Sequence, residues 1–85
     1  MQPKQIEQLL QTALTLDELH IRGEDSHFEV VAVGELFDGL SRVKKQQIIY
    51  KPLAELIADN SIHALSIKTY TPAEWEKAKK FGQPI

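Results

Sequence analysis

The sequence predicts an α+β domain in which helices pack against a three-stranded mixed sheet. Segments with helical and β-strand patterns follow one another in the order α-β-β-α(-α)-β-α. Two adjacent strands form a hairpin, and a helical crossover brings a third strand beside them, which makes the sheet mixed. The 85 residues, of which 42% are apolar, suffice for one modest core. Since no repeat or linker divides the chain, we assign residues 1–85 to a single domain.

The first predicted elements are a helix and a half-buried strand. Pro3 suits the first turn of a helix. Farther on, Leu19 and Ile21 alternate with the polar residues His20 and Arg22, which is typical of a strand with one buried face. The helix that begins near Pro3 has one apolar stripe with helical spacing, formed by Ile6, Leu9, Leu10, Ala13 and Leu14.

A tight turn, a central strand and a connection come next. The turn is predicted at residues 23–26, where glycine is followed by polar residues. The nearly continuous β-favouring run from His27 to Gly34 predicts a strand in the centre of the sheet, paired with the preceding strand as a hairpin. The segment from Gly34 to Leu40 contains two glycines and leads into the next helix.

The following helical segment contains a proline. Ser41 is a suitable N-cap for it. Pro52 lacks a backbone N–H and disfavours helical angles at Lys51, so we expect a kink or a break there, with two short helices as an alternative to one. The apolar residues of this segment continue toward Asn60 and comprise Val43, Ile48, Ile49, Leu53, Leu56 and Ile57.

The last predicted elements are a third strand and a helix. Residues 71–74 combine a threonine N-cap, a proline at the first helical position and the glutamate of a capping box. Trp75 and Ala78 give this helix an inward face, and we expect it to fray by Gly82. The strand before it, from His63 to Tyr70, places two apolar and two polar residues on opposite faces: Leu65 and Ile67 against Ser66 and Lys68.

The composition excludes several classes of site. Because the chain contains no cysteine, it has no disulfide, no thiol nucleophile and no self-contained thiolate metal site. No apolar run approaches the roughly 18 residues that a membrane span needs. The N-terminus lacks the pattern of a signal peptide, so we expect a cytoplasmic protein without a membrane partner. No catalytic motif is present, and we do not expect an enzyme.

Charge is distributed unevenly along the chain. Residues 1–40 contain eight acidic and two basic residues, a net charge of −6, whereas residues 41–85 carry +4, and the whole chain carries −2. Such segregation favours oriented docking to a protein at least as readily as binding to nucleic acid.

The glycine-containing segment invites comparison with a phosphate-binding loop. Residues 34–41 have the glycine spacing and terminal serine of a P-loop. However, Leu40 stands where the phosphate-contacting lysine is needed, and Glu35 and Asp38 would repel phosphate. We therefore interpret the segment as an ordinary connection.

A basic cluster lies at the start of the second helical segment and comprises Arg42, Lys44 and Lys45, with Lys51 farther on. These side chains could contact nucleic-acid phosphates, contact an acidic protein partner or form a solvated face. No aromatic residue is interleaved with them, and the Gly-x-x-Gly loop of a KH module is absent. The residues alone leave the three interpretations open.

The three histidines are the residues with acid–base or metal-binding capability near neutral pH. His20 is predicted on the polar face of the first strand and treated as a surface residue. His27 begins the second strand and His63 the third, at strand ends that are exposed and anchored. The two could approach one another, although their spacing does not establish it. From the residues alone, the chain is a binding domain with one or two candidate functional histidines.

Several segments resemble a known family. Residues 26–39 (SHFEVVAVGELFDG) and 62–75 (IHALSIKTYTPAEW) resemble the central and C-terminal signatures of the BolA family. Residues 41–47 (SRVKKQQ) and the short turn at 23–26 are especially similar to the IbaG branch of that family. The similarity is collinear and spans nearly the whole chain.

The resemblance implies a class II KH-like fold, in agreement with the predicted element order. It also implies a heterodimer with a monothiol glutaredoxin in which the pair holds a 2Fe-2S cluster, other ligands coming from the partner and glutathione. His63 occupies the position of the family's histidine ligand, and the isolated chain is expected to hold no cofactor. Histidine ligation alters the potential of a cluster, and the requirement for neutral imidazole weakens binding as the pH falls.

His27 is predicted as the second ligand because it is the histidine nearest to the loop between the first two strands. Other branches of the family carry a histidine or cysteine in a longer loop between the first two strands, and the turn at 23–26 contains neither. His27 is the nearest substitute, although it belongs to the Ser-His-Phe motif.

Two alternatives concern the partner. Some BolA proteins act in transcription and stress control, which implies binding of DNA or RNA with Arg42, Lys44 and Lys45 on the phosphates. In the other alternative, the domain docks on glutaredoxin through the same residues without sharing metal. In each case we expect the free chain to be a monomer.

Overall fold

Three strands and four helices occur in the predicted order. The computed structural model describes residues 2–80. Two 3₁₀ turns, at Glu35–Phe37 and Lys51–Leu53, precede the second and third helices. The elements are α1 (Pro3–Ala13), β1 (Glu18–Glu24), β2 (His27–Val33), α2 (Arg42–Tyr50), α3 (Ala54–Ala58), β3 (Ala64–Tyr70) and α4 (Pro72–Lys80).

The strands form one mixed sheet in the order β1-β2-β3. β1 pairs with β2 in antiparallel fashion, and β3 adds to the other side of β2 in parallel. The prediction of a central second strand within an α+β fold is therefore confirmed. Because successive side chains of a strand alternate between faces, this register also decides which residues share each face of the sheet.

The main core lies between one face of the sheet and the first three helices. Phe28, Val30 and Ala32 of β2 point to this side and are buried. Alternate residues Val31 and Val33 point to the opposite face, where Trp75 of α4 covers them. The main core is completed by Ile6, Leu10, Phe37, Ile49, Leu53 and Ile62.

Three residues of the predicted apolar stripes do not enter the core. Leu9 and Ala13 of α1 are exposed and border a groove with Pro52 and Leu56. Val43, in the first turn of α2, is 65% exposed. The predicted apolar stripes are thus present, but each helix buries only part of its stripe.

The break at Pro52 is confirmed, but its position differs from the prediction. Lys51 has helical angles, φ −56° and ψ −50°, contrary to the expected displacement. The backbone departs from helical geometry at Leu53, where φ is −103° and ψ is 5°. Because Pro52 occupies the first turn of the 3₁₀ segment, its missing N–H costs that segment no hydrogen bond.

The capping box of α4 forms as predicted. Thr71 Oγ1 accepts a hydrogen bond from the Glu74 N–H at 3.2 Å, and Glu74 Oε1 accepts one from the Thr71 N–H at 2.8 Å. Trp75 and Ala78 face inward, also as predicted. The predicted fraying at Gly82 lies outside the described residues. Within residues 2–80, no helix combines the length and the apolarity needed to cross a bilayer.

Candidate functional site

The two histidines predicted as iron ligands lie at the end of the sheet where β2 and β3 begin. β2 begins at His27, and β3 begins one residue after His63, which the sequence had placed inside the strand. Since the strands are parallel and His27 is the register partner of Ala64, the backbones at His27 and His63 are neighbours. Both side chains are exposed. The fold thus brings these two histidines to the same end of the sheet.

The backbone that carries His63 is anchored on both sides. Its N–H donates to the carbonyl of Ser26 at 2.8 Å. The preceding residue, Ile62, is only 3% exposed, and its N–H donates to the carbonyl of Leu56 at 3.1 Å. The buried Ile62 side chain and the two hydrogen bonds fix the backbone at His63 without covering its imidazole.

The turn that leads from α3 to this anchor is held by Asp59. Its Oδ1 accepts a hydrogen bond from the Ser61 N–H at 2.9 Å, and hydrogen bonds with Ser61 lower the pKa of Asp59. Asn60 adopts a left-handed conformation with φ +66°, which asparagine tolerates. The turn therefore reverses the chain within a few residues and delivers Ile62 to the core.

The imidazole of His63 forms no hydrogen bond or ion pair with another residue of the described part of the chain. A neutral imidazole carries one nitrogen that can accept a proton or bind a metal. Within residues 2–80, no group of three or more histidine, aspartate or glutamate side chains is placed to hold a metal ion. His63 can offer one nitrogen ligand at the surface.

His27 faces a shallow depression on the part of the sheet that α4 leaves open. The depression has a volume of about 610 Å³ and does not include His63 in its lining. Its polar and small lining residues come from all three strands and include Arg22, Glu24, His27, Glu29, Ala64 and Ser66.

An ion network joins two lining residues of this depression, Arg22 and Glu29, to Lys68 outside it. Glu29 Oε1 lies 3.1 Å from Lys68 Nζ, and Glu29 Oε2 lies 3.4 Å from Arg22 Nε. The hydrogen bond with Lys68, together with the charges of Lys68 and Arg22, lowers the pKa of Glu29 despite its partial desolvation. The Glu29 carboxylate is thus a fixed negative charge between two cations, and it links all three strands.

The loop beside His27 is shorter than the predicted four-residue turn. Gly23 and Glu24 pair with Phe28 and His27, so only two residues, 25 and 26, connect the strands. Asp25 turns the chain with φ +58°. Gly23 has φ +140°, and a Cβ at this position would lie 2.2 Å from the carbonyl oxygen of His27. This close approach leaves no room for a side chain at position 23, so glycine is required there.

His20 lies elsewhere and has its own partners. Its ring centroid is 5.6 Å from that of Trp75, and its Nε2 is 3.1 Å from Glu18 Oε1. Desolvation opposes ionisation of Glu18, but the hydrogen bond with His20 and the charge of Lys79 lower its pKa. His20 is exposed, as predicted, and it also joins β1 to α4.

The predicted basic cluster is divided between two surfaces. Arg42 and Lys45, one helical turn apart, line a groove between α2 and β3. Lys44 borders a different depression together with Lys51. Arg42 and Lys45 therefore share one groove, whereas Lys44 lies beside another surface, and the binding role predicted for the three residues stays a prediction.

The glycine-containing connection has a structural role in the fold. Its residues 35–37 form a 3₁₀ turn that buries Phe37 completely. Ser41 Oγ accepts a hydrogen bond from the Lys44 N–H at 3.2 Å and so caps α2. This geometry agrees with the interpretation of an ordinary connection.

Sequence reasoning missed two surface features, the depression beside His27 and the groove between α2 and β3. Each is formed by residues distant in the sequence, such as Arg22 with Ser66, or Arg42 with Thr69. The alternation of β1 and β3 predicts their faces, but only the strand register predicts which side chains meet. No local signal in the sequence supplies that register.

Known proteins support the family assignment. The family described as BolA-like protein matches residues 10–74. Acid stress protein IbaG from Escherichia coli K12 is 61% identical over 82 residues, which cover 96% of this chain and 98% of that protein. The DNA-binding transcriptional regulator BolA from Vibrio cholerae is 46% identical over 56 residues, which cover 66% of this chain and 52% of that protein.

A solved structure supports the same assignment. BolA1 from Mus musculus superimposes with a TM-score of 0.81 at 28% identity, and the match covers 96% of this chain and 76% of that chain. The sequence match and the similar architecture agree with the fold expected from the resemblance. The chain therefore belongs to the BolA family, in the branch that includes IbaG.

Proposed function

We propose that this chain is a non-enzymatic adaptor that pairs with a monothiol glutaredoxin and shares a 2Fe-2S cluster with it, in iron–sulfur trafficking or in iron and stress regulation. The observation that supports the proposal most strongly is the exposure of His63 on an anchored backbone. Its imidazole is exposed and unpartnered within the described residues, while the flanking backbone is anchored by Ile62 and Ser26. A ligand that must reach a metal held by another molecule needs this combination of access and rigidity.

The donor set of the chain fits a shared cluster. The chain has no thiolate to offer, so the sulfur ligands of the irons would come from the partner and from glutathione. When bound, the cluster would supply redox and transfer chemistry, and one nitrogen ligand would tune its potential. The contribution of this chain is to present His63 at a fixed place.

His27 is the proposed second ligand. It begins the strand next to His63, and its backbone is held by pairing with Glu24 of β1 and Ala64 of β3. Its side chain faces the open depression, which gives it access to a docked partner. Substituting His27 tests this assignment independently of His63.

The proposal is tested by mixing the chain with a monothiol glutaredoxin, glutathione, iron and sulfide. Visible absorption and circular dichroism are recorded for the native chain, His63→Ala and His20→Ala. We expect a cluster spectrum that differs from that of glutaredoxin alone, and we expect His63→Ala to remove the difference. His20→Ala is the matched control because it removes another exposed histidine.

Two outcomes would contradict the proposal. One is a mixture whose spectrum equals that of glutaredoxin alone. The other is a spectrum that His63→Ala leaves unchanged in shape and lifetime. Docking of the two apo proteins that persists in His63→Ala, without any change in the spectrum, would favour an adaptor that does not share metal.

The second candidate function is nucleic-acid binding in transcriptional or stress regulation. A relative from Vibrio cholerae carries the name of a DNA-binding transcriptional regulator, and Arg42 and Lys45 line one groove here. This alternative predicts affinity for DNA or RNA that falls steeply with salt and that is lost on Lys45→Glu. Undetectable or salt-insensitive binding at low ionic strength would exclude it.

A further inference from the structure

The groove between α2 and β3 combines positive charge with an unpaired strand edge. It has a volume of about 350 Å³ and is lined on the α2 side by Arg42, Lys45 and Gln46. On the other side, residues 67–70 of β3 line it consecutively. No acidic residue is among the lining residues. We propose that this groove binds an acidic, extended peptide segment of a partner protein, which adds to β3 as a fourth strand.

The register shows which backbone groups face the groove. The Ala64 N–H donates to the Ser26 carbonyl, directly before β2, and the Tyr70 carbonyl accepts from the Gly34 N–H, directly after β2. In a parallel pair, alternate residues of a strand bond to the same neighbour, so the even-numbered residues of β3 direct their N–H and C=O groups to β2. The odd-numbered residues Ile67 and Thr69 therefore direct theirs to the open edge, inside the groove.

An unpaired edge of this kind is a template for another strand. An extended peptide can satisfy the N–H and C=O groups of Ile67 and Thr69 with regular backbone hydrogen bonds. Since β3 is the last strand of the sheet on this side, no strand of the described chain occupies the position. The backbone groups supply affinity, and the neighbouring side chains supply selectivity.

The charges select acidic side chains in the added segment. Within residues 2–80, neither Arg42 nor Lys45 has an ion-pair partner, and they are one helical turn apart on the wall of the groove. Side chains on one face of an added strand recur every second residue, about 7 Å apart. Carboxylates at two such positions can reach the two cations.

A peptide fits the groove better than a single-stranded nucleic acid does. Sequence-tolerant binding of single strands depends on aromatic side chains on which bases stack. Tyr70 is the aromatic residue in the lining, and its ring packs against Trp75 with centroids 5.2 Å apart. The ring is therefore engaged with α4, while the backbone groups of β3 remain available.

The test uses a blocked seven-residue peptide in which glutamate and threonine alternate, and a matched peptide in which lysine replaces glutamate. Titrations of the full chain are followed by amide NMR and hydrogen exchange. We expect the acidic peptide alone to bind and to slow exchange at Ile67 and Thr69. The Lys68 amide, already bonded to β2, serves as the internal control and should change little.

Two variants separate the groove from general charge attraction. Lys45→Glu should weaken binding of the acidic peptide about fivefold or more, since it reverses a charge in the groove. Lys44→Glu makes the same change on the adjacent residue, which borders another surface, and should change affinity less than about twofold.

Three results would overturn the proposal. The first is equal binding of both peptides, or of neither. The second is binding of the acidic peptide with unchanged exchange at Ile67 and Thr69. The third is tighter binding of a single-stranded oligonucleotide at the same residues, which would assign the groove to nucleic acid.

Discussion

The sheet face opposite the main core has two halves that treat their histidines differently. In the covered half, α4 places Trp75 over Val31 and Val33, and His20 packs against the indole. In the open half, no helix of residues 2–80 covers His27, and the lining of the depression beside it includes the charged side chains of Arg22, Glu24 and Glu29. Both histidines are exposed residues of strands, yet only His20 has a structural partner.

This difference separates a histidine that packs within the fold from one whose ring is accessible to a ligand. A histidine that contacts a buried aromatic ring and a carboxylate contributes to holding two elements together. A histidine whose backbone is fixed and whose ring is unpartnered is available to a ligand. His27 and His63 belong to the second kind within the described residues, and the predictions below test that division.

The largest effect is expected in the covered half. Trp75→Ala should lower the free energy of unfolding by about 3–5 kcal/mol because it removes a nearly buried aromatic side chain and leaves a cavity under α4. His63→Ala should change stability by less than about 0.5 kcal/mol. Urea denaturation followed by far-ultraviolet circular dichroism measures both. Equal losses for the two variants would mean that the proposed division is wrong.

Within the open half, the hairpin should be most sensitive at Gly23. Gly23→Ala should destabilise the fold by about 2–3 kcal/mol because its Cβ would collide with the His27 carbonyl at a φ that side chains rarely adopt. Gly39→Ala is the matched control, since φ is +75° but nothing lies within 4 Å of the added Cβ. It should cost only about 1 kcal/mol. Thermal unfolding measures the stability lost in each variant. A smaller loss for Gly23→Ala than for Gly39→Ala would contradict the close approach of position 23 to the His27 carbonyl.

A smaller effect is expected at the start of α4. Thr71→Ala should cost about 1 kcal/mol because the Glu74 N–H loses its acceptor, whereas Thr71→Ser should retain most of the stability. Amide exchange should accelerate in α4 more than at the start of β3. If amide exchange near His63 accelerates equally, α4 and the start of β3 open together. That result would contradict the division of the sheet face into two separate halves.

The smallest effect concerns the carboxylates of the two halves. Glu18 in the covered half and Glu29 in the open half both have pKa values below the ordinary 4.5, through contacts with His20 and Lys79 and with Lys68 and Arg22 respectively. A carboxyl group whose pKa is lower in the folded state stabilises that state above its unfolded pKa, and this contribution is lost as the pH falls through the folded value.

Stability should therefore decline on acidification below about pH 4.5. Glu29→Gln should lower the free energy of unfolding by at most about 1 kcal/mol at pH 7. At a pH where Glu29 of the native chain is protonated, the two proteins should be equally stable. Urea titrations of the native chain and this variant at several pH values measure the difference. A stability difference between the two proteins that grows as the pH falls would contradict a lowered pKa of Glu29.

The sequence predicted the architecture well because its local signals agree with one another. The capping box at Thr71, the continuous apolar run of β2 and the proline break all appear in the structure. It failed where tertiary contact decides the outcome. Leu9 and Val43 have the spacing of core residues, but the helices bury only part of each stripe. Helical periodicity predicts a face and not how much of that face finds a partner.

The candidate site was predictable to a similar extent. Sequence and family resemblance identified His63 and His27, and the parallel register brings them to one end of the sheet. Lys44 borders a different surface from Arg42 and Lys45 because adjacent residues of a helix point about 100° apart, and the binding role predicted for the three stays a prediction. The edge groups of β3 could not be predicted, since they follow from the register.

We propose that His63 supplies a nitrogen ligand to a cluster shared with glutaredoxin. The most direct test labels only this chain with ¹⁵N-histidine, assembles the cluster with unlabelled glutaredoxin, reduces it and measures nitrogen hyperfine coupling by pulsed electron paramagnetic resonance. We expect a ¹⁵N coupling whose His63 component is lost in His63→Ala, while any coupling that remains there is lost on adding His27→Ala, and His20→Ala leaves the spectrum unchanged. A reduced cluster without ¹⁵N coupling, or a ¹⁵N spectrum that His63→Ala leaves unchanged, would contradict the proposal.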